Sequence, residues 1–259
     1  MNMTIKRLIN WKLFSVLFLA SVVANIVVLP YVFSLGIIPE EELPVPLSLA
    51  VLIQIVQSVI FFSVAVFFGL LLGKKVGLGA PFIESWLTSG KVKDGFGKIL
   101  RTTVFLGILI GISIFILDRF VFSIFVEPIT AFQETPPIWT RLLVSFYGGV
   151  GEEIAMRLFL TTLLVWITYK FRRTNDDLPT SVGVWLSIIL VNVIFGLGHL
   201  PMTARFTEIT TIVVVRAIIL NGIAGVTFGW LYWKKGLEAA MMSHFTSDIV
   251  LHVILPTLI

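Results

Sequence analysis

Seven apolar runs, most of them about 20 residues or longer, constrain this chain more than any other feature. A helix needs about 20 such residues to cross roughly 30 Å of hydrocarbon. The runs read at Leu13–Leu35, Leu47–Leu72, Thr102–Val126, Leu142–Tyr169, Val182–His199, Ile209–Trp233 and Leu237–Leu258. Inside a bilayer each backbone group must find its partner within the protein, which favours helices for segments of this kind. Composition agrees, with 57% hydrophobic and 13% charged residues, where a soluble domain carries about 25% charged. The expected fold is all-α: one polytopic bundle of about seven transmembrane helices. It divides into a three-span region over residues 1–139 and a four-span core over residues 140–259.

Basic residues set the orientation. They cluster at Lys6, Arg7 and Lys12, from Lys74 to Arg101, at Lys170, Arg172 and Arg173, and at Lys234 and Lys235. The alternate loops are acidic or sparse: Glu40, Glu41 and Glu42, then Glu127 with Glu134, then Arg205 with Glu208. This alternation assigns the N-terminus inside and the C-terminus outside, and a prokaryotic plasma membrane suits the size and composition. The net charge of +4 lies mostly in these loops, so it speaks to orientation and not to nucleic acid. The first run follows basic residues as a signal peptide would, with Val22-Val23-Ala24 resembling a cleavage site. It is nevertheless longer than an h-region of about 7–15 residues and reads as a retained span. The absence of cysteine excludes disulfides, thiol nucleophiles, thiolate metal ligands and cysteine lipidation. Residues 81–98 set Phe82, Ile83, Trp86 and Leu87 before Lys91, Lys93 and Lys98, the pattern of an interfacial amphipathic helix or of an ordinary basic inner loop.

Charges inside apolar runs carry the functional signal, because each is costly there. Gly148-Gly149-Val150-Gly151-Glu152-Glu153-Ile154-Ala155-Met156-Arg157 sets two carboxylates and an arginine in the fourth run. Glu153 and Arg157 share a helical face as an ion pair, while Glu152 points roughly 100° away. His199 ends the fifth run, and His244 shares a face of the seventh with Asp248. Glu152, His199, His244 and Asp248 thus come from three spans and can converge. Two chemistries remain open. Those four residues could hold a zinc ion, the candidate cofactor, which lowers the pKa of bound water to about 7. Without metal, Glu152 could act as general base with the imidazoles stabilising an oxyanion. Both activate water for hydrolysis.

The other polar residues of the runs read more plainly. His252 reads as interfacial, Trp139, Trp230 and Trp233 as interfacial belts, and Asp118 with Arg119 as lying near the outer boundary. Asn192, two turns before His199, is a candidate support for it. Counting along helices from the inner side places Glu152 at about 27 Å, His199 at about 26 Å and His244 at about 12 Å. That mismatch leaves open the side on which the cavity opens.

Glu152-Glu153-x-x-x-Arg157, Phe195-x-x-x-His199 and His244-x-x-x-Asp248 resemble, in this order, the three motifs of the CPBP intramembrane protease family. That family contains the CAAX prenyl endopeptidases and the bacterial Abi proteins linked to bacteriocin processing or self-immunity. The resemblance covers about Thr140 to Leu258. It implies a membrane-embedded endopeptidase in which Glu152 activates water, and His199 and His244 bind metal or stabilise the oxyanion. Glu153 with Arg157 would be a structural ion pair. Asp248 stands where the prenyl proteases have Asn and bacterial members have Asn or Asp; an anionic side chain there suits metal ligation or orientation of His244. The implied partners are membrane lipid and a peptide or protein substrate, lipidated or not. Two other classes fit the same residues: a non-catalytic immunity or scaffold protein of this family, and an ion-coupled transporter. The lack of an internal repeat and the modest length count against the transporter.

Overall fold

Helices account for every long element of the computed structural model, which describes residues 9–36, 44–92, 94–126 and 136–258. Lys6, Arg7, Lys93, the acidic run Glu40 to Glu42, Glu127 and Glu134 lie outside the described residues. The helices are α1 (Trp11–Ser34), α2 (Leu47–Val76), the short α3 (Pro81–Ser89), α4 (Phe96–Phe120), α5 (Ile138–Phe171), α6 (Ser181–Gly198), α7 (Thr211–Lys235) and α8 (Leu237–Asp248). The last continues through a π-helical turn, Ile249–Ile254, to Leu258. Six of them are long and apolar enough to cross a membrane, and the chain is an integral membrane protein. The seventh run is also helical, as α8, but its hydropathy is diluted by Glu238, His244, Asp248 and His252. No strand occurs among the described residues, only an isolated bridge between Arg173 and Pro179 that closes the α5–α6 turn.

Large apolar side chains point outward, as a lipid-facing surface requires: Val182 is 69% exposed and Ile60 61%. Helix association in such a setting rests on close packing and not on burial of oil from water. Three glycine pairs, each four residues apart, supply the close packing. Gly69 of α2 faces Leu158 of α5, while Gly73 lies against the Leu78 carbonyl with Thr162 of α5 at 3.8 Å; Gly107 and Gly111 of α4 face the α8 main chain at Ser243 and Ser247; Gly225 and Gly229 of α7 face Asn192 and Ile188 of α6. A Cβ at Gly107 would stand 2.5 Å from the Ser243 carbonyl oxygen, so any side chain there forces the two helices apart. The chain before α8 is tied to α3 at the same level. Leu237 N–H donates to the Gly79 carbonyl at 2.9 Å, and Glu238 Oε1 accepts the Phe82 and Ile83 N–H groups at 2.8 and 2.7 Å. Within the segment 81–98, Pro81–Ser89 is therefore a short helix ending at Gly90 (φ 69°), its first turn capped by a carboxylate from α8.

The mismatch in depth has a physical answer in the length of α5. At 34 residues it extends about 50 Å, well beyond the roughly 30 Å of hydrocarbon. Thr162 lies more than two turns from its end, yet its hydroxyl meets that of Tyr232 at 2.7 Å, less than one turn from the end of α7. The α5–α6 hairpin thus overhangs the α7–α8 turn on the side bearing Lys170, Lys234 and Lys235. Depths counted from Lys170 and from Gly236 start at different heights, and Glu152 and His244 meet side by side.

Candidate active site

Glycine brings the two site-bearing helices together. A Cβ on Gly148 would overlap Asp248 Oδ2 and stand 3.1 Å from His244 Nε2, and one on Gly149 would stand 2.8 Å from Phe245 Cβ. The α5 main chain therefore lies directly against α8 at this point. From here α5 winds as a π-helix through Gly148–Glu152 and again through Ile154–Thr161, a form found mostly at functional sites. Thr161 and Thr162 reinforce it by donating to the carbonyls of Met156 (2.8 Å) and Arg157 (3.2 Å), five residues back. A wider turn reduces the angle between successive side chains. Glu152 and Glu153, expected to diverge, both reach the same imidazole.

The polar groups form a chain across three helices. Arg157 NH1 donates to Asn192 Oδ1 at 3.2 Å, and its Nε lies 3.3 Å from Glu153 Oε2. That last contact is an ion pair without hydrogen-bond geometry, since both atoms lack a hydrogen-bond partner. Glu153 Oε1 in turn accepts from His244 Nδ1 at 2.8 Å. A carboxylate only accepts, so the Nδ1 proton is held there and Nε2 is directed away. His244 Nε2 faces Glu152 Oε2 at 3.8 Å and Asp248 Oδ2 at 3.6 Å, and Phe228 stacks on the ring at 4.6 Å. Side-chain exposure rises along this chain, from 1% at Arg157 and Glu153 to 8% at His244, 14% at Asp248 and 21% at Glu152. The residues that hold Nδ1 of His244 in place sit deep; the groups flanking Nε2 sit at the accessible end.

Of the residues singled out from the sequence, Glu152, His244 and Asp248 are thus brought together. Glu153 and Arg157 pair as expected, and Glu153 also holds His244. His199, just past the end of α6, has local partners: its Nδ1 meets the Phe195 carbonyl at 2.8 Å, and Phe195 packs edge-on at 4.5 Å. No hydrogen bond or ion pair joins it to the other three among the described residues. Asn192 supports Arg157 and not His199. His252 turns its carbonyl to Arg141 at 3.1 Å. Sequence reasoning overlooked the tie between Asp118 and Arg216, two bonds of 2.6 and 2.7 Å linking α4 to α7. An arginine inside an apolar run was the available signal.

A metal requires a convergent donor set. His244 holds Nδ1 on Glu153 and turns Nε2 to the carboxylates of Glu152 and Asp248, an orientation that a metal-ligating histidine also takes. Among the described residues no group of three or more His, Asp or Glu side chains is arranged to hold an ion.

Beside the site, Phe82, Trp86, Phe146, Val150, Met241 and Phe245 help line an apolar cavity of about 480 Å³ between α3, α5 and α8. Gly149 also lines it, one residue from the main chain that touches His244 and Asp248. Fold and site together define a polytopic membrane protein with a carboxylate–imidazole group held inside its helix bundle. Residues 134–250, a little under half of the chain, match the family model described as Type II CAAX prenyl endopeptidase Rce1-like. This segment matches the CPBP/CAAX protease family, the one that the three ordered motifs resemble. No curated protein matches the chain, and no solved structure does.

Proposed function

We propose that the protein is an intramembrane endopeptidase in which Glu152 activates the water. The observation that carries this is the placement of Glu152 Oε2 3.8 Å from His244 Nε2, too far for a direct hydrogen bond and wide enough for a water to bridge the two. Glu152 takes a proton from that water as its oxygen attacks the carbonyl carbon of the scissile bond. The tetrahedral oxyanion is stabilised by the Nε2–H of His244 in its imidazolium form, the Nδ1–H remaining on Glu153. Glu152 returns the proton to the departing amide nitrogen as the C–N bond breaks. Glu153 positions His244 through Nδ1, Arg157 and Asn192 brace Glu153, and Asp248 biases the charge at Nε2. His199, whose Nδ1 is tied to its own helix, offers Nε2 as a second group toward substrate.

The apolar cavity supports a substrate that arrives from the membrane with a hydrocarbon side chain or lipid group, in keeping with the matched family. The basic helix ends support an N-terminus inside, a C-terminus outside and a plasma membrane of prokaryotic type. Division at residue 140 into an accessory three-span region and a catalytic four-span core is part of the same reading.

The test is cleavage of a lipidated membrane peptide by detergent-purified protein, wild type beside Glu152→Gln and His199→Ala. Loss of cleavage in both supports the reading. Undiminished cleavage by Glu152→Gln overturns the role of Glu152, and a cellular phenotype that survives this substitution points to an immunity or scaffolding role. Metal content measured on the same active sample decides the zinc route: about one zinc per chain, lost in His244→Ala, overturns the metal-free mechanism.

A further inference from the structure

Among the side-chain amides carried inside the spans, one faces away from the protein. Asn192 and Asn221 donate to main-chain carbonyls of their own helices. Asn25 Oδ1 of α1 accepts from Gln54 Nε2 of α2 at 2.9 Å and from the Ser58 hydroxyl. Gln57, three residues after Gln54, is exposed on the lipid-facing surface of α2, and among the described residues no hydrogen bond reaches its amide. It lies ten residues from the start of α2 at Leu47, about 15 Å along the axis, within the apolar span. Hydrocarbon offers neither donor nor acceptor, so an amide left there without a partner is costly.

Its neighbours run as a seam. Ile53, Gln57, Ile60 and Val64 recur at spacings of four, three and four, the repeat by which one helix packs along another. The three apolar members are 42%, 61% and 45% exposed, so the chain itself leaves the seam open. A single polar residue in such a seam fixes register between helices, and polar side chains hold helices together in lipid.

The membrane selects the partner. Copies of one chain enter a bilayer in a single orientation, so their α2 helices run parallel with Gln57 at one depth. A two-fold axis along the membrane normal then sets each residue of the seam against its own counterpart. A primary amide carries both donor and acceptor, so two Gln57 side chains satisfy each other by reciprocal hydrogen bonds. Ile53 packs on one side of that pair, and Ile60 and Val64 on the other. No residue of α2 lines the apolar cavity between α3, α5 and α8, so the seam is a separate surface.

We infer that the protein forms a parallel homodimer through α2, held in register by the two Gln57 amides. The inference stands apart from the peptidase reading, and its test needs no substrate. The chain has no cysteine, so single cysteines report cleanly. Under mild oxidation in lipid vesicles, Ile53→Cys, Ile60→Cys and Val64→Cys should each give a disulfide-linked dimer. Leu186→Cys and Leu190→Cys on α6, comparably exposed at 59% and 50%, should not. Affinity is read by energy transfer between dye-labelled full chains in vesicles, across a series of protein-to-lipid ratios. Gln57→Leu should raise the dimer dissociation constant by roughly five- to thirty-fold, and Gln57→Asn, which keeps an amide, by less. Because the side chain faces lipid, the thermal unfolding midpoint of a Gln57→Leu monomer should match that of wild-type monomer. A wild type that stays monomeric at every ratio overturns the inference and leaves the seam to a different membrane partner. Gln57→Leu that dimerises as tightly as wild type overturns it too, as does cross-linking of the α6 cysteines as readily as those of α2.

Discussion

Two acid–arginine pairs lie within the bundle, and they differ in a way that separates holding from working. Asp118 and Arg216 join α4 to α7 through two hydrogen bonds of 2.6 and 2.7 Å, with Asp118 39% exposed. Glu153 and Arg157 lie on one helix at 3.3 Å without hydrogen-bond geometry, and both are fully buried. The better-made pair is a tie between helices near the outer end of the bundle. The poorer one has its carboxylate divided: one oxygen faces Arg157, the other holds His244 Nδ1. Good geometry marks a pair whose two members serve only each other. Compromised geometry marks one whose carboxylate is shared with a third group, and that third group is the imidazole of the site.

Substitutions test this contrast. The largest effect is expected outside both pairs, at the carboxylate facing the imidazole that the buried pair orients. Glu152→Gln should lower cleavage by about 10²–10⁴-fold, the usual worth of a positioned general base, with thermal unfolding in detergent little changed. Next is Glu153→Ala, which strands Arg157 and frees His244. Breaking a buried pair from one side costs about 3–5 kcal/mol, so the unfolding midpoint should fall sharply and activity with it; an unchanged midpoint would mean that the pair contributes nothing to the fold. Gly148→Ala pushes a methyl group against Asp248 and His244 and should cost about 100-fold in cleavage through misplacement alone, with a smaller loss of stability. Full activity there would deny the contact between α5 and the site. The smallest change is Asp118→Asn. A partly exposed pair is worth at most about 1 kcal/mol, so cleavage should stay within about two-fold and the midpoint shift slightly. A large loss of activity would remove the distinction drawn here.

Legibility from sequence varied by element. Six of the seven apolar runs could be read as spans from local composition alone, because hydrocarbon thickness sets a length that each run meets by itself. The seventh was legible as a run and stands as a helix, with the site's own polar residues lowering its hydropathy. The motif residues Glu152, His244 and Asp248 were visible as costly charges in apolar surroundings. Their heights were not: counting from Lys170 assumed that every helix ends at one plane, and the overhang of α5 past α7 comes from packing around Thr162 and Tyr232.

Local composition suffices to show that the chain crosses a membrane several times and carries a handful of acids and imidazoles inside it. Sequence also determined that Glu153 and Arg157 meet, since four-residue spacing on one helix is a local fact. It took the tertiary arrangement to bring Glu153 and Glu152 both to His244, Asn192 to Arg157, and Arg216 to Asp118. Each of these depends on how a helix is rotated and wound against its neighbour. Here that is set by π-helical turns in α5 and by glycine contacts between helices, which no periodicity along a single segment contains.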